Sequence, residues 1–165
     1  MISMIYARDE NYGVGFKNKL PWPRNSKDMK TFFEITHGHT VIMGSSTFES
    51  LGKKPLVGRH NLVLTSDQSK YSGVPATENL EFISGPVSTL MAIVRHMTQT
   101  LHVIGGPTIY RQFLPYCDEI HETIIDGSYE SDTFIDKNTT DNFKEVYSKI
   151  EDTHIYRKLI RCKNT

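Results

Sequence analysis

Three stretches of this chain carry residue types from which a phosphate-binding surface is built. Met43-Gly44-Ser45-Ser46-Thr47 and Ile104-Gly105-Gly106-Pro107-Thr108 each pass from an apolar run through glycine to hydroxyl side chains. Leu64-Thr65-Ser66 ends a third apolar run on hydroxyls. Small residues at a helix start leave backbone N–H groups open to an anion, and the helix dipole favours negative charge there. A single junction of this kind is what any turn or cap requires. Three together point to a nucleotide ligand. The common phosphate fingerprints do not account for them. Gly13-Val14-Gly15 lacks the third glycine of a dinucleotide motif, because Asn18 stands there. Gly44 and Gly52-Lys53 are too far apart for a P-loop, and Lys54 holds the place of its Ser or Thr.

Asp28 is the carboxylate best placed for chemistry. On a helical wheel it falls between Phe32 and Ile35, inside the apolar arc. A carboxylate on a core-facing side is costly without a partner. It can accept two parallel hydrogen bonds from a planar amidine-like group; the plainer role is a first-turn acid that complements the helix dipole. His37 and His39 have no acidic or cysteine partner at ligand spacing. They read as surface residues, and no metal site is expected. Ser45 and Ser46 lie outside any G-x-S-x-G elbow, which excludes that class of hydrolase.

The elements that must hold these residues alternate in type. Apolar, β-branched runs predict strands over 2–7, 40–43, 61–65, 80–83, 101–104, 119–126, 143–148 and 154–161. Apolar periodicity predicts helices over 26–36, 45–51, 86–97 and 107–114, with Pro86 and Pro107 suited to first turns. Alternation of this kind makes an α/β fold with a mainly parallel sheet, and the last two strands predict an antiparallel C-terminal edge. The three hydroxyl-rich junctions then fall at carboxyl ends of strands, where open α/β sheets bind ligands. Residues 8–25, with Gly13, Gly15, Pro21 and Pro23, read as a long functional loop.

The 165 residues fit one domain over 1–165 with room for a substantial core. Nineteen basic against nineteen acidic side chains give no net charge, which argues against a general nucleic-acid binder. Residues 1–65 hold 9 basic and 5 acidic side chains, so positive charge gathers in the first part of the chain. Cys117 and Cys162 form no metal pattern. The opening MISMIYARDE is too short an apolar run for a signal peptide, and no stretch suggests a membrane span. A cytoplasmic protein is expected.

Taken in order, the residues resemble the dihydrofolate reductase family along the whole chain. The match includes Ile2-Ser3-Met4-Ile5-Tyr6-Ala7, Gly15, Leu20-Pro21-Trp22, Asp28 with Phe32, Val41-Ile42-Met43-Gly44 and Thr47-Phe48-Glu49-Ser50-Leu51. It continues through Leu56-Val57-Gly58-Arg59-His60-Asn61, Val103-Ile104-Gly105-Gly106, Ile109-Tyr110, Thr123 and Asp132-Thr133-Phe134. The resemblance implies a central eight-stranded mixed sheet flanked by four helices. It implies reduction of 7,8-dihydrofolate to tetrahydrofolate by hydride from NADPH, in a cytoplasmic monomer whose partners are dihydrofolate and antifolate inhibitors and which binds neither nucleic acid nor membrane. Asp28 would hold the pterin's 2-amino group and ring N–H with Thr123 in support, and Leu20, Trp22 and Tyr110 complete the catalytic set. Ile5, Tyr6, Ala7, Met29, Phe32, Leu51, Leu56 and Ile104 would line the substrate, whose tail carboxylate pairs with Arg59. Ala7, Val14, Leu20 and Tyr110 would lie toward nicotinamide. Gly44, Ser46, Thr47, Gly105, Gly106 and Thr108 would approach the phosphates, with Gly15, Ser45, Leu64, Thr65, Ser66, Ile104, Pro107, Ile109 and Thr133 completing the cofactor set. The family's Gly-Gly bond is cis.

Three departures from the family pattern have consequences. Ser45 and Thr108 stand where relatives often carry arginines for the cofactor's 2′-phosphate, which predicts weaker discrimination against NADH unless His60 or a lysine compensates. Pro23 replaces an asparagine that stabilises an occluded loop in some bacterial members, which predicts that this state is less accessible. Tyr6 is larger than usual; it is expected to alter the pterin pocket, and its hydroxyl needs a partner.

Overall fold

The computed structural model describes residues 1–163. In chain order it forms β1 (Ile2–Arg8), β2 (Gly13–Gly15), α1 (Ser26–Thr36), β3 (Thr40–Gly44), α2 (Ser45–Ser50), β4 (His60–Leu64) and β5 (Leu80–Ile83). There follow α3 (Val87–Val94), β6 (Leu101–Gly105), α4 (Pro107–Phe113), β7 (Glu119–Ile125), β8 (Thr133–Phe134), β9 (Phe143–Ile150) and β10 (His154–Arg161). Eight strands make one sheet in the order β5-β4-β3-β6-β1-β7-β10-β9. The strands from β5 to β7 pair in parallel. β10 runs against both its neighbours, so the two C-terminal strands close the edge as an antiparallel pair with β9 outermost.

The fold matches the predicted class, with adjustments at element ends. α3 stops at Val94, short of the apolar stripe that continues to Met97. The loop over 8–25 is not wholly irregular, because β2 pairs with β8 in a second, two-stranded sheet. Both strands are too short to leave an alternating pattern in sequence.

Period-2 alternation gives the large sheet two different faces. On one, Met4, Tyr6, Val103 and Ile120 pack with Leu90, Met91, Ile109, Tyr110 and Phe113 of α3 and α4. On the other, Val41, Met43 and Val63 pack with Phe48 of α2 and Tyr71. Ile5 and Ala7 of β1 share that second face with their β7 register partners His121 and Thr123. β6 lies between β3 and β1, so the chain leaves the centre in both directions from there. The carboxyl ends of these strands border the crevice where open α/β sheets take ligands.

Candidate active site

α1 starts where it does because Asn25 caps it: the Asn25 Oδ1 accepts the Asp28 N–H at 3.1 Å. The Asn25 amide also donates to Thr153 Oγ1 at 2.9 Å, fastening this helix start to the β9–β10 turn. Asp28 is thereby held half-buried toward β7. Burial raises its carboxyl above the ordinary aspartate value, while the Thr123 hydroxyl and the His154 ring oppose the rise. The carboxylate thus carries a charge that water covers poorly, the condition under which a matched cationic or N–H-rich ligand gains most.

Apolar walls flank it. Ile5 is buried, and Ala7, Phe32, Leu51, Leu56 and Ile104 are half-buried. Met29 and Leu20 are 45% and 52% exposed. Beyond them sits Arg59, 8% exposed. Its guanidinium donates to the Val57 carbonyl at 2.9 Å and the Thr36 hydroxyl at 3.2 Å, and stands 5.2 Å from the Phe33 ring centre. Burial lowers its pKa. Among the described residues no carboxylate within salt-bridge distance pairs with it, which leaves donors suited to an outside anion. Asp28 in the first turn of α1 and Arg59 against Thr36 at its last turn thus set a carboxylate and a guanidinium at opposite ends of one helix.

The second half of the crevice is made of backbone. The Gly105–Gly106 peptide is cis. A Cβ on Gly105 would meet the Tyr110 hydroxyl at 3.0 Å and Thr47 Oγ1 at 3.3 Å, and one on Gly44 would meet Ile109 at 2.9 Å. Only glycine allows this approach of β3, β6 and the two helices. Gly44 and Gly106 are the N-caps of α2 and α4, and neither helix start has a side-chain cap. Their amides, beside Ser45, Ser46, Thr47, Pro107 and the exposed Thr108, suit a phosphorylated ligand. Tyr110 is buried with its hydroxyl donating to the Ile5 carbonyl at 3.2 Å, and burial pushes its pKa up.

At the end of β4, Leu64 is half-buried and Thr65 buried, its hydroxyl exchanging contacts with the Asp67 backbone at 3.2 and 3.3 Å; Ser66 is exposed. No arginine or lysine lies in the segments 44–47, 64–67 or 105–109. His60 does not fill the gap: it begins β4, at the opposite end of the strand, and faces Glu81 at 3.7 Å.

The loop is fastened to β8 and the segment that leads into it. Asp132 N–H donates to the Gly15 carbonyl at 3.0 Å, Lys17 N–H donates to the Asp132 carboxylate at 2.9 Å, and Thr133 pairs with Gly15. Val14 packs against the main core cluster. Trp22 is 6% exposed, its indole Nε1 buried without a partner among the described residues.

Tyr6 does not join the substrate walls. It lies on the face opposite Ile5 and Ala7, with its ring 5.6 Å from that of Tyr110 and its hydroxyl donating to Glu122 at 3.0 Å. Glu122 also receives Arg8 at 2.7 Å and Arg157. Nor is His39 a simple surface residue: it stands edge-on to buried His102 at 5.4 Å, which stands 6.5 Å from His121. Asn25, His154 and Asp9 escaped the sequence reading. For Asn25 a signal was present, an N-cap residue three positions before an acid.

Comparison with known proteins accords with this geometry. The family model described as "Dihydrofolate reductase" matches residues 1–160. The dihydrofolate reductase of Staphylococcus aureus is 34% identical over 151 residues, covering 91% of this chain and 86% of that protein. That of Bacillus subtilis is 36% identical over 154 residues, covering 90% and 83%. A solved structure of dihydrofolate reductase from Enterococcus faecalis, complexed with NADP(H) and RAB-propyl, superposes with a TM-score of 0.86. It is 28% identical, with 99% of this chain and 97% of that one covered.

Proposed function

Because the chain belongs to the dihydrofolate reductase family, we propose that it reduces 7,8-dihydrofolate to 5,6,7,8-tetrahydrofolate with NADPH. The reaction would support thymidylate and one-carbon metabolism, in a monomeric cytoplasmic enzyme open to antifolate inhibitors. The observation that carries this reading is the crevice itself. At the two ends of α1 stand the poorly solvated carboxylate of Asp28 and the guanidinium of Arg59, which pairs with no carboxylate among the described residues. That pattern complements a flat heterocycle with an amidine edge and an acidic tail.

NADPH supplies a hydride when bound; the residues of the chain do the rest. The uncapped starts of α2 and α4, with the hydroxyls beside them, would hold its phosphates. Asp28 would accept the 2-amino group and a ring N–H of the substrate, fixing the ring so that its C6 faces the hydride donor. Its negative charge favours the proton that N5 must gain, which solvent water delivers. Thr123 would orient Asp28, and Tyr110 would support charge that develops near the nicotinamide. Loop residues 8–25, anchored by buried Trp22, would exclude bulk water and gate release.

That the segments 44–47, 64–67 and 105–109 contain neither arginine nor lysine supports weak discrimination between NADPH and NADH. Steady-state kinetics with dihydrofolate and each cofactor test both points. Consumption of neither reduced cofactor refutes the reductase reading. A kcat/KM preference for NADPH as strong as in arginine-bearing relatives refutes the weak discrimination.

A further inference from the structure

Asp9, at the end of β1, has no solvent exposure and belongs to neither wall of the crevice. Its carboxylate is nevertheless fully used. Oδ1 accepts the Gly13 N–H at 2.8 Å and the Asn11 N–H at 3.0 Å, and Oδ2 accepts the Tyr129 N–H at 2.8 Å. One buried side chain therefore joins the base of the active-site loop to the β7–β8 connection. Packing there is tight, since a Cβ on Gly13 would stand 2.1 Å from Ser131 Oγ. The Tyr129 ring meets the Trp22 indole edge-on at 6.3 Å. A cavity of about 480 Å³, lined by Trp22, Asn25, Ile125, Tyr129 and Thr153 among others, adjoins this pair. Protein atoms do not fill the space beside the indole, so the Tyr129 contact counts for more in setting its position.

We propose that Asp9 is a positioning residue for the reaction, holding Trp22 in place through Tyr129. The two ends of one loop are then coupled through a different loop. Asp9 fixes the Tyr129 backbone, the Tyr129 ring fixes Trp22, and Trp22 stands three residues before Asn25, which caps the helix of Asp28.

The chain contains a single tryptophan, so Trp22 reports directly on the relay. Asp9→Asn turns one acceptor into an N–H donor facing another N–H. Tyr129→Leu removes the ring but keeps the backbone bond to Asp9, and carries the test if Asp9→Asn does not fold. Asn11→Ala removes the side-chain tie to Ser128, which connects the same loops outside the relay. In the first two variants Trp22 emission should shift to the red and lose its protection from acrylamide. In both, kcat should fall about tenfold with the dihydrofolate KM within about twofold of wild type. Asn11→Ala should behave as wild type in every respect. The proposal is overturned if Trp22 emission and quenching stay unchanged in the first two variants. It is equally overturned if turnover is unaffected, or if Asn11→Ala matches them. The kinetic arm rests on the reductase reading and the fluorescence arm does not. An inactive wild-type protein with the expected fluorescence pattern therefore sinks that reading and not the relay.

Discussion

Replacing Asp28 by asparagine should lower activity and raise stability together. The exchange preserves shape but converts one acceptor oxygen into a donor and removes the charge. Hydrogen bonds to a charged group contribute about 1.5–3 kcal/mol each. One is lost outright and the other falls to a neutral bond of about 0.5–1.5 kcal/mol, which together cost about 2.5–4.5 kcal/mol of transition-state binding, or about two to three orders of magnitude in kcat/KM at about 1.4 kcal/mol per decade. The effect on folding has the opposite sign. Burial raises the carboxyl's pKa in the folded state above its unfolded value. The folded protein therefore holds that proton more tightly, and stability is lost as pH rises from the unfolded pKa through the folded one. At neutral pH the ionised group is a net cost that asparagine removes. Thermal melts should show a higher Tm for the variant at pH 7, with the gain shrinking as pH is lowered through the folded pKa. Dihydrofolate-dependent oxidation of NADPH measures the activity. A variant within tenfold of wild-type kcat/KM refutes the role given to Asp28. A lower Tm at neutral pH refutes the electrostatic account of its burial.

Other substitutions probe the supports of the site. Glu122→Ala leaves Arg8 and Arg157 without their shared buried carboxylate, and urea unfolding should show a loss of about 3–5 kcal/mol. His102 is pushed down to about 4, first by burial and then by His39 and His121. Its unfolded form takes up the proton first, so stability should be complete above about pH 6.5 and fall toward pH 4. His102→Leu should flatten that part of the Tm–pH curve, and an unchanged curve rules His102 out as the cause. Ser45→Arg adds a cation at the start of α2 and should strengthen NADPH over NADH binding by about tenfold, read as the ratio of Kd values from titration calorimetry.

The legible part of the molecule was the part written locally. Strands β3, β6 and β7 are short β-branched runs, and α1 carries its period, its cap and its acid within a dozen residues. Two things were not local. The first is pairing over long separations: β2 meets β8, and Asp9 meets Tyr129, 120 residues away. No periodicity records such contacts, and a buried aspartate at a loop base looks in sequence like any turn acid. The second is the choice of sheet face. Whether Tyr6 or Ile5 faces the crevice depends on register alone, since a slip of one residue exchanges the two sides.

That choice of face explains why a bulky tyrosine is tolerated next to Ile5 and Ala7. Tyr6 points into the α3–α4 layer, where its hydroxyl meets Glu122 and its ring meets Tyr110. Tyr110 in turn bonds the carbonyl of Ile5, the wall residue next to Tyr6. The opposite layer thus acts on the crevice through backbone and ring contacts. Tyr6→Phe should therefore leave the dihydrofolate KM nearly unchanged, because no pocket surface is altered. Its cost should fall on stability, where a buried charge-assisted hydrogen bond contributes about 1.5–3 kcal/mol. Urea unfolding and steady-state kinetics separate the two effects, and a KM change of tenfold or more would return Tyr6 to the substrate wall.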